Sequence, residues 1–298
     1  MMDLPKRILG RTGLEVTQLG FGTALRLEPE DRFGDDEAEG ILHAVLDAGI
    51  NFIDTAPDYG ESEERIGRFI SHRREEFYLA TKCGCNIDAD GARQDPKHLW
   101  TADRVRRNVD QSLARMKTDY VDLLQMHNPS VEEVEEGGLV EALIEIRQVG
   151  KTRFIGVSST APHLMTFAGT DAFDAFQVPY SALEPTHEVM IQQVADGGAG
   201  MIVRGGIAQG GRNQHSGRWD LWDRAGLDEL AGEMSRYEFV LRFTLSHPAC
   251  QTTIVGTTQP SHLRSNIAAA QAGPLPAEVY EQAKQRLAQI GEEPETSG

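Results

Sequence analysis

Four side chains able to take part in proton transfer stand at, or soon after, the ends of predicted strands. Asp54 ends one strand-like run and Tyr59 follows it in the next loop, while Lys82 ends the following run and His127 comes directly after the next. Each of them alone has an ordinary explanation, such as a cap, a solvated lysine or a structural histidine. Because the carboxyl ends of neighbouring parallel strands meet at one rim, we expect the four to lie within reach of one another.

The chemistry that suits these four residue types is the protonation of a carbonyl oxygen. A tyrosine phenol has an ordinary pKa of about 10, and a neighbouring lysine ammonium lowers it by favouring the phenolate. An aspartate keeps that lysine charged and oriented, and a histidine beside the phenol can hydrogen-bond a substrate carbonyl or assist the transfer. The set therefore predicts a proton donor beside a positive charge, as the reduction of a carbonyl by hydride requires.

The elements that would position these residues are strand-like runs separated by helical patterns. Several runs are nearly continuously apolar, as in residues 121–124, which is typical of strands buried on both faces. Strands alternating with helices indicate a parallel sheet, and eight repeats in about 250 residues match a closed (α/β)₈ TIM barrel better than an open sheet. The predicted strands are 19–23, 51–55, 77–82, 120–126, 154–158, 175–178, 200–204 and 252–255.

Two further features belong to the predicted barrel. Residues 7–16 are expected to form a β-hairpin that closes the amino-terminal end. The connections 84–100 and 205–226 are unusually long, and long connections inside a compact domain are usually functional. Both follow strands at the carboxyl-terminal rim, where barrel active sites lie, so we expect them to shape the substrate pocket.

Composition excludes several classes of function. The 298 residues include 29 basic and 46 acidic ones, a net charge of −17, which repels nucleic acid and anionic membranes. No run approaches the roughly 18 apolar residues of a membrane span, and the amino terminus lacks the apolar core of a signal peptide. We therefore expect a cytoplasmic protein with one domain, residues 1–298, and a frayed tail at about 291–298. Cys83 and Cys85 have no matching Cys or His pair nearby in the sequence, so no metal site is expected.

Three segments resemble the signature regions of the aldo-keto reductase family. They are residues 49–60, 79–82 and 122–127, and the similarity extends in the same order and spacing from the amino-terminal hairpin to Asn266. The resemblance implies an (α/β)₈ barrel that transfers hydride between a nicotinamide cofactor and a small-molecule carbonyl substrate. It also implies roles for four residues: Tyr59 as general acid, Lys82 and Asp54 as the groups that tune it, and His127 as the group that orients the carbonyl.

The cofactor-binding segments resemble the family less uniformly. Residues 156–159 are similar to a family segment that holds the nicotinamide amide, with Ser159 in place of an asparagine, and Gln177 matches the family glutamine on the same amide. Arg204 stands near the place of a family aromatic that stacks on the nicotinamide. Residues 205–210 are similar to the family loop over the pyrophosphate, where glycines permit a close approach of the backbone.

Residues 256–266 resemble the family region that binds the adenosine end, with a helix N-terminus available for phosphate. The common NADPH pattern has a basic residue where Gly256 stands and an arginine where His262 stands, but Thr257 and Arg264 remain. We favour NADPH, with NADH as the alternative. By the resemblance, the residues expected to contact the cofactor are Gly22, Thr23, Asp54, Ser158, Ser159, Gln177, Arg204, Gly205, Gly206, Gln209, Gly210, Gly256, Thr257, Thr258, His262 and Asn266.

Two other functions stay open at this point. One is a Schiff-base aldolase with Lys82 as nucleophile, although such a lysine must be neutral and Asp54 argues for a charged one. The other is a cofactor-binding sensor or regulatory subunit on the same barrel. The sequence identifies neither the carbonyl substrate nor the oligomeric state. Three tryptophans in or beside the long connections are candidates either for the pocket wall or for packing anchors: Trp100, Trp219 and Trp222.

Overall fold

A computed structural model describes residues 3–24, 34–88, 92–208 and 218–295. Within them, eight parallel strands form a closed barrel, in the order β10-β11-β12-β3-β4-β5-β8-β9 around the circle. The predicted fold class is therefore confirmed, with strand limits shifted by one or two residues. The barrel strands are β3 (Leu19–Gly22), β4 (Phe52–Asp54), β5 (Tyr78–Cys83), β8 (Val121–His127), β9 (Thr152–Ser158), β10 (Ala175–Pro179), β11 (Gly200–Arg204) and β12 (Thr252–Val255).

Helices surround the barrel and bury one face each against it. In the helix before β8, Val105, Val109 and Met116 are buried at the predicted helical spacing, and the Thr101 hydroxyl accepts a hydrogen bond from the Arg104 N–H at the first turn. The helices are α1 (Asp35–Asp47), α2 (Ser62–Phe69), α3 (Ala102–Met116), α4 (Val131–Glu136), α5 (Leu139–Gln148), α6 (His163–Ala168), α7 (Glu188–Asp196), α8 (Arg218–Arg224), α9 (Asp228–Ala231), α10 (Arg236–Ser246), α11 (Pro260–Ala272) and α12 (Ala277–Gln289). None of the helices within the described ranges is long and apolar enough to cross a membrane.

The predicted amino-terminal hairpin is present. Strands β1 (Lys6–Ile8) and β2 (Glu15–Thr17) pair antiparallel around a short 3₁₀ turn, Gly10–Thr12. The side chains of Leu9, Leu14 and Val16 pack against the amino-terminal ends of the barrel strands and close the barrel interior there. The hairpin does not cover the opposite end of the barrel, at the carboxyl-terminal ends of the strands, where the candidate active site lies.

The long connection at residues 84–100 contains two strands that were not predicted from the sequence. It folds into an antiparallel hairpin of β6 (Cys85–Ile87) and β7 (Arg93–His98), in which Cys85 lies opposite His98. Pairing gives the backbone hydrogen-bond partners that a structureless connection of this length would lack, which is the physical reason for the difference.

The connection at residues 205–226 lies partly outside the described residues, but its end forms α8. Trp219 and Trp222 on this helix are buried against Tyr237 and Phe239, so they are packing anchors. Of the predicted frayed tail, residues 296–298 lie outside the described residues, and the Glu295 N–H donates a hydrogen bond to the Thr186 carbonyl.

Candidate active site

A buried ion pair lies at the carboxyl-terminal rim of β4 and β5. The Lys82 Nζ atom is 2.5 Å from Asp54 Oδ1 and also donates to the Thr55 carbonyl at 2.9 Å. The two charged side chains are 0% and 1% exposed. Because an unpaired charge at this depth is very costly, the contacts must hold the ammonium and the carboxylate together.

The second oxygen of Asp54 is the acceptor of two side-chain amides. The Nε2 atoms of Gln125 and Gln177 donate to Asp54 Oδ2 at 3.0 and 2.9 Å. Gln125 lies directly opposite Lys82 in the β5–β8 register, which brings its amide to the ion pair. Gln125 was not among the site residues predicted from the sequence, and its place in the middle of a buried strand was the only available signal.

Tyr59 and His127 complete a group of four, hereafter the tetrad (Asp54, Tyr59, Lys82 and His127). The Lys82 Nζ atom lies 4.9 Å from the centre of the Tyr59 ring. The rings of Tyr59 and His127 meet edge to face, with their centres 5.9 Å apart. The fold therefore brings together the four side chains that were predicted from the sequence to lie within reach of one another.

Burial sets the protonation of the phenol and the ammonium. Burial raises the pKa of Tyr59, and this effect exceeds the lowering caused by the Lys82 ammonium. Lys82 therefore acts in the predicted direction, but the net shift is opposite to the one expected from the sequence. Burial alone lowers the pKa of Lys82, yet the Asp54 carboxylate and the Tyr59 phenol outweigh it, so this pKa is raised. Both side chains hold their protons at neutral pH.

His127 is neutral in this environment. Burial lowers its pKa well below the ordinary value, and the positive charge of Lys82 lowers it further. Its Nδ1 atom lies 3.4 Å from Cys85 Sγ, whose single thiol proton can be donated to this nitrogen or to Asp58 Oδ1, 3.5 Å away. When the thiol donates to Nδ1, the ring proton sits on Nε2, where it is available as a hydrogen-bond donor.

The residues predicted to hold the nicotinamide amide are connected to the tetrad. The Ser158 hydroxyl donates to Gln177 Oε1 at 3.4 Å, and Gln177 in turn donates to Asp54. The Ser159 N–H donates to the Gln177 backbone carbonyl at 3.0 Å. All three side chains lie at the same rim as Lys82 and offer hydroxyl and amide groups of the kind that a carboxamide can pair with.

Arg204 ends β11 beside this group. Burial lowers its pKa, and its Nε atom has no hydrogen-bond partner within the described ranges. A buried guanidinium with an unpaired donor suits an anionic or polar ligand such as a cofactor phosphate.

The two glycines after Arg204 meet different structural requirements, one of backbone conformation and one of space. Gly205 has φ +72°, which disfavours other residues, and a Cβ on Gly206 would lie 2.1 Å from Thr253 Oγ1 of β12. The close approach at Gly206 is therefore to the next strand. Gln209 and Gly210 lie outside the described residues.

The predicted adenosine-binding segment begins α11. This helix has Pro260 at its start, no side-chain cap and no acidic residue in its first turn, so its N–H groups and positive dipole end are available to a phosphate. His262 is exposed on the first turn and Arg264 follows. Among the remaining predicted contacts, Gly256 is exposed, Thr258 is half-buried, and Thr257 and Asn266 are buried. Gly22 ends β3 and Thr23 follows it, with the Thr23 N–H donating to the Asp54 carbonyl at 2.9 Å.

Three further residues around His127 were not predicted as site residues. Asp58, from the segment before Tyr59, has Oδ1 3.5 Å from both Cys85 Sγ and His127 Nδ1. His98, from β7, lies with its ring centre 5.0 Å from that of His127. Cys85 and His98 are far from Asp58 and His127 in the sequence, and only the β6–β7 hairpin brings them there.

The comparison with protein families identifies the chain. The model of the Aldo/keto reductase family matches residues 18–287. The chain belongs to this family. Aldo-keto reductases use nicotinamide cofactors, and reduction of small carbonyl compounds is the general chemistry of this barrel.

Individual relatives agree with the family. The uncharacterized oxidoreductase YqkF of Bacillus subtilis is 29% identical, with 92% of this chain and 93% of that protein covered. L-galactose dehydrogenase of Arabidopsis thaliana is 27% identical, with 90% and 89% covered. The holo form of an aldo-keto reductase from Bacillus halodurans superposes with a TM-score of 0.83 at 28% identity, covering 95% of this chain and 96% of that one.

Proposed function

We propose that this aldo-keto reductase converts an aldehyde or ketone to an alcohol, with Tyr59 as the general acid. The observation that carries the proposal is the buried Lys82–Asp54 pair beside the Tyr59 ring, with His127 at the ring edge. A reduction needs a proton donor and a fixed positive charge where negative charge develops, and this arrangement supplies both.

Each residue of the tetrad has its own part in the proposed reaction. A nicotinamide cofactor, when bound, would supply the hydride that the carbonyl carbon accepts. Tyr59, whose pKa is raised by burial and which holds its proton at neutral pH, donates that proton to the carbonyl oxygen. The Lys82 ammonium, fixed by Asp54, stabilises the phenolate that forms. His127 hydrogen-bonds the same oxygen through Nε2 and orients it.

NADPH is the proposed cofactor. Ser158, Ser159 and Gln177 would hold the nicotinamide amide, and Arg204 would contact a phosphate. At the other end, the uncapped start of α11, with His262 exposed beside it, suits the 2′-phosphate that distinguishes NADPH from NADH.

The two rival functions fit these residues less well. A Schiff-base aldolase needs a neutral lysine, whereas Asp54 holds Lys82 charged and raises its pKa. A sensor that only binds cofactor has no need for a buried ion pair directed at a phenol. The name of the Arabidopsis relative is that of a sugar dehydrogenase, so we include sugars and the oxidative direction among the substrates to be tested.

The decisive experiment follows cofactor absorbance with aldehydes, ketones and sugars, using NADPH and NADH. We expect turnover by the wild type and a loss of about 10²–10⁴-fold in single-turnover rate for Tyr59→Phe, because that variant lacks only the donated proton. Cofactor binding should stay close to wild type. Single-turnover rates are needed since product release limits the turnover of many enzymes.

Tyr78→Phe is the matched control. Tyr78 begins β5, at the end of the barrel opposite the tetrad, so the same loss of a hydroxyl there should leave the rate unchanged. If Tyr59→Phe kept more than about a tenth of the rate, the phenol would not be the acid. Tight cofactor binding without turnover of any substrate would favour the sensor instead.

A further inference from the structure

Four metal-ligating side chains converge at the edge of the active site. Asp58, Cys85, His98 and His127, hereafter the rim cluster, each offer one ligand atom, and these atoms all lie within 4.8 Å of one another. Only His127 has a part in the proposed reduction. The side chains of the other three residues form no hydrogen bond with the proton donor or the ion pair of the proposed reaction, so the proposed function does not explain why they converge.

The distances within the rim cluster match those around a tetrahedral ion. Cys85 Sγ is 3.4 Å from His127 Nδ1 and 3.5 Å from Asp58 Oδ1, and those two atoms are 3.5 Å apart. Zinc bonds of about 2.3 Å to sulfur and 2.0–2.2 Å to nitrogen and oxygen place tetrahedral ligand atoms roughly 3.3–3.6 Å apart. Three of the four ligand atoms therefore already have the spacing of a bound zinc ion.

The fourth residue has a free ligand atom. His98 Nε2 is buried and has no hydrogen-bond partner in the part of the chain that the structure describes. A buried nitrogen without a partner is costly unless something binds it. The ring is held in place by stacking on Trp100, with ring centres 5.6 Å apart, and the strand pairing of His98 with Cys85 directs both toward the same space.

We propose that the rim cluster binds Zn²⁺ or a similar soft divalent cation, and that the bound ion inhibits the reductase by constraining the position of the His127 ring, which the proposed reaction uses. A thiolate, two imidazoles and one carboxylate suit zinc, whereas Mg²⁺ and Ca²⁺ need mostly oxygen ligands. The earlier expectation of no metal site rested on the spacing of cysteines in the sequence, which does not reveal the two histidines brought in by the fold.

The charge balance allows a dication despite nearby positive groups. Binding releases the Cys85 thiol proton to solvent, so the ion meets two negative ligands, the thiolate and the Asp58 carboxylate, and the site becomes neutral. Lys82 is already paired with Asp54. Arg93 donates to the Asp58 backbone carbonyl and lies 3.9 Å from the carboxylate oxygen Oδ2, which leaves Oδ1 for the ion. The side chains of Asp58 and His127 are 14% and 12% exposed, so an ion can enter from the rim.

Co²⁺ alone is the spectroscopic probe, because cobalt bound to a thiolate gives a near-ultraviolet absorption band that needs no enzyme activity. We expect the wild type to bind one Co²⁺ ion and to show this band. One equivalent of Zn²⁺ should displace the Co²⁺ and abolish the band, whereas Mg²⁺ should not displace it. Cys85→Ala should lose the band and weaken Zn²⁺ binding by more than the ~10–100-fold typical of losing an outer partner. Cys83→Ala is the matched control, since Cys83 is equally buried two residues away but lies outside the rim cluster.

His98→Gln is the second variant and guards against misfolding of Cys85→Ala. It should keep the cobalt–thiolate band but bind Zn²⁺ more weakly. The absence of a thiolate band in the wild type, or equal Zn²⁺ affinities in wild type and Cys85→Ala, would overturn the site.

The inhibitory effect rests on the function proposed above, and its test is separate. Zn²⁺ should inhibit wild-type turnover at the concentration at which it displaces Co²⁺, and His98→Gln should need more Zn²⁺ for the same inhibition. Zinc binding through Cys85 with uninhibited turnover would overturn the inhibitory part. A protein that binds zinc but reduces no carbonyl would instead contradict the proposed function and leave the metal site standing.

Discussion

At the scale of single residues, the position of a polar side chain relative to its strand was the informative signal. Asp54, Lys82 and His127 were predictable because each stands at a strand end, and Tyr59 because it follows one closely. The net direction of the Tyr59 pKa was not predictable, since it depends on how much solvent the fold removes from the ring. Sequence spacing indicates which charged groups are neighbours. It does not reveal how deeply Tyr59 is buried, and burial opposes the lowering of its pKa by Lys82.

A residue-scale prediction concerns the choice between NADPH and NADH. His262 is exposed on the first turn of α11, where the common NADPH pattern has an arginine. His262→Arg should raise the NADPH preference by about tenfold or more, because a charge-assisted hydrogen bond to phosphate contributes roughly 1.5–3 kcal/mol. The measurement is the ratio of the two dissociation constants.

His72→Arg provides the control for that measurement. His72 is exposed in the 3₁₀ segment Ser71–Glu76 that leads into β5, at the other end of the barrel. It adds the same charge to the protein without placing it near the cofactor, so its ratio should match the wild type. An unchanged ratio in His262→Arg would mean that this turn does not meet the 2′-phosphate.

At the scale of elements, the eight strands and their order were predictable because helix and strand patterns alternate so regularly. The β6–β7 hairpin was not predictable, because its register depends on a pairing between Cys85 and His98 that no local sequence pattern indicates.

The close contact between helices α2 and α3 could not be predicted from the sequence either. Gly67 lies inside α2, and a Cβ there would lie 2.0 Å from the Arg115 carbonyl oxygen of α3. In the sequence it looks like any other glycine in a helix.

An element-scale prediction compares Gly67→Ala with Gly40→Ala. Gly67→Ala should lower the free energy of unfolding by about 1–3 kcal/mol, because the two helix backbones must separate to admit the methyl group. Gly40 lies inside α1 with nothing within 4 Å of its Cβ position, so alanine there should raise stability by about 0.5–1 kcal/mol through helix propensity. Urea denaturation of both variants measures the difference, and stabilisation by Gly67→Ala would contradict the close packing of α2 on α3.

At the scale of the whole molecule, two buried histidines outside the barrel tie its stability to pH. The Ala249 N–H donates to His247 Nδ1 at 3.1 Å, and Nε2 lies 3.2 Å from the Glu188 carbonyl, which can only accept. His247 is therefore neutral with its proton on Nε2. His187 Nε2 accepts from the Ala161 N–H at 3.1 Å and must also be neutral there. Burial lowers the pKa of both.

These pKa directions predict that acid destabilises the fold. The unfolded histidines have an ordinary pKa of about 6.5, whereas the folded ones lie below it, so the unfolded chain binds more protons in between. The contribution to stability is fully present above the unfolded pKa and is lost as the pH falls through it toward the folded value. His247→Gln can make the same two hydrogen bonds without titrating, so its free energy of unfolding should fall less than that of the wild type between pH 7.5 and 5.5.

His72→Gln, which replaces an exposed histidine, is the control, and its free energy of unfolding should change with pH as that of the wild type does. Urea denaturation across this range decides the matter, and equal slopes for wild type and His247→Gln would show that His247 does not carry the effect.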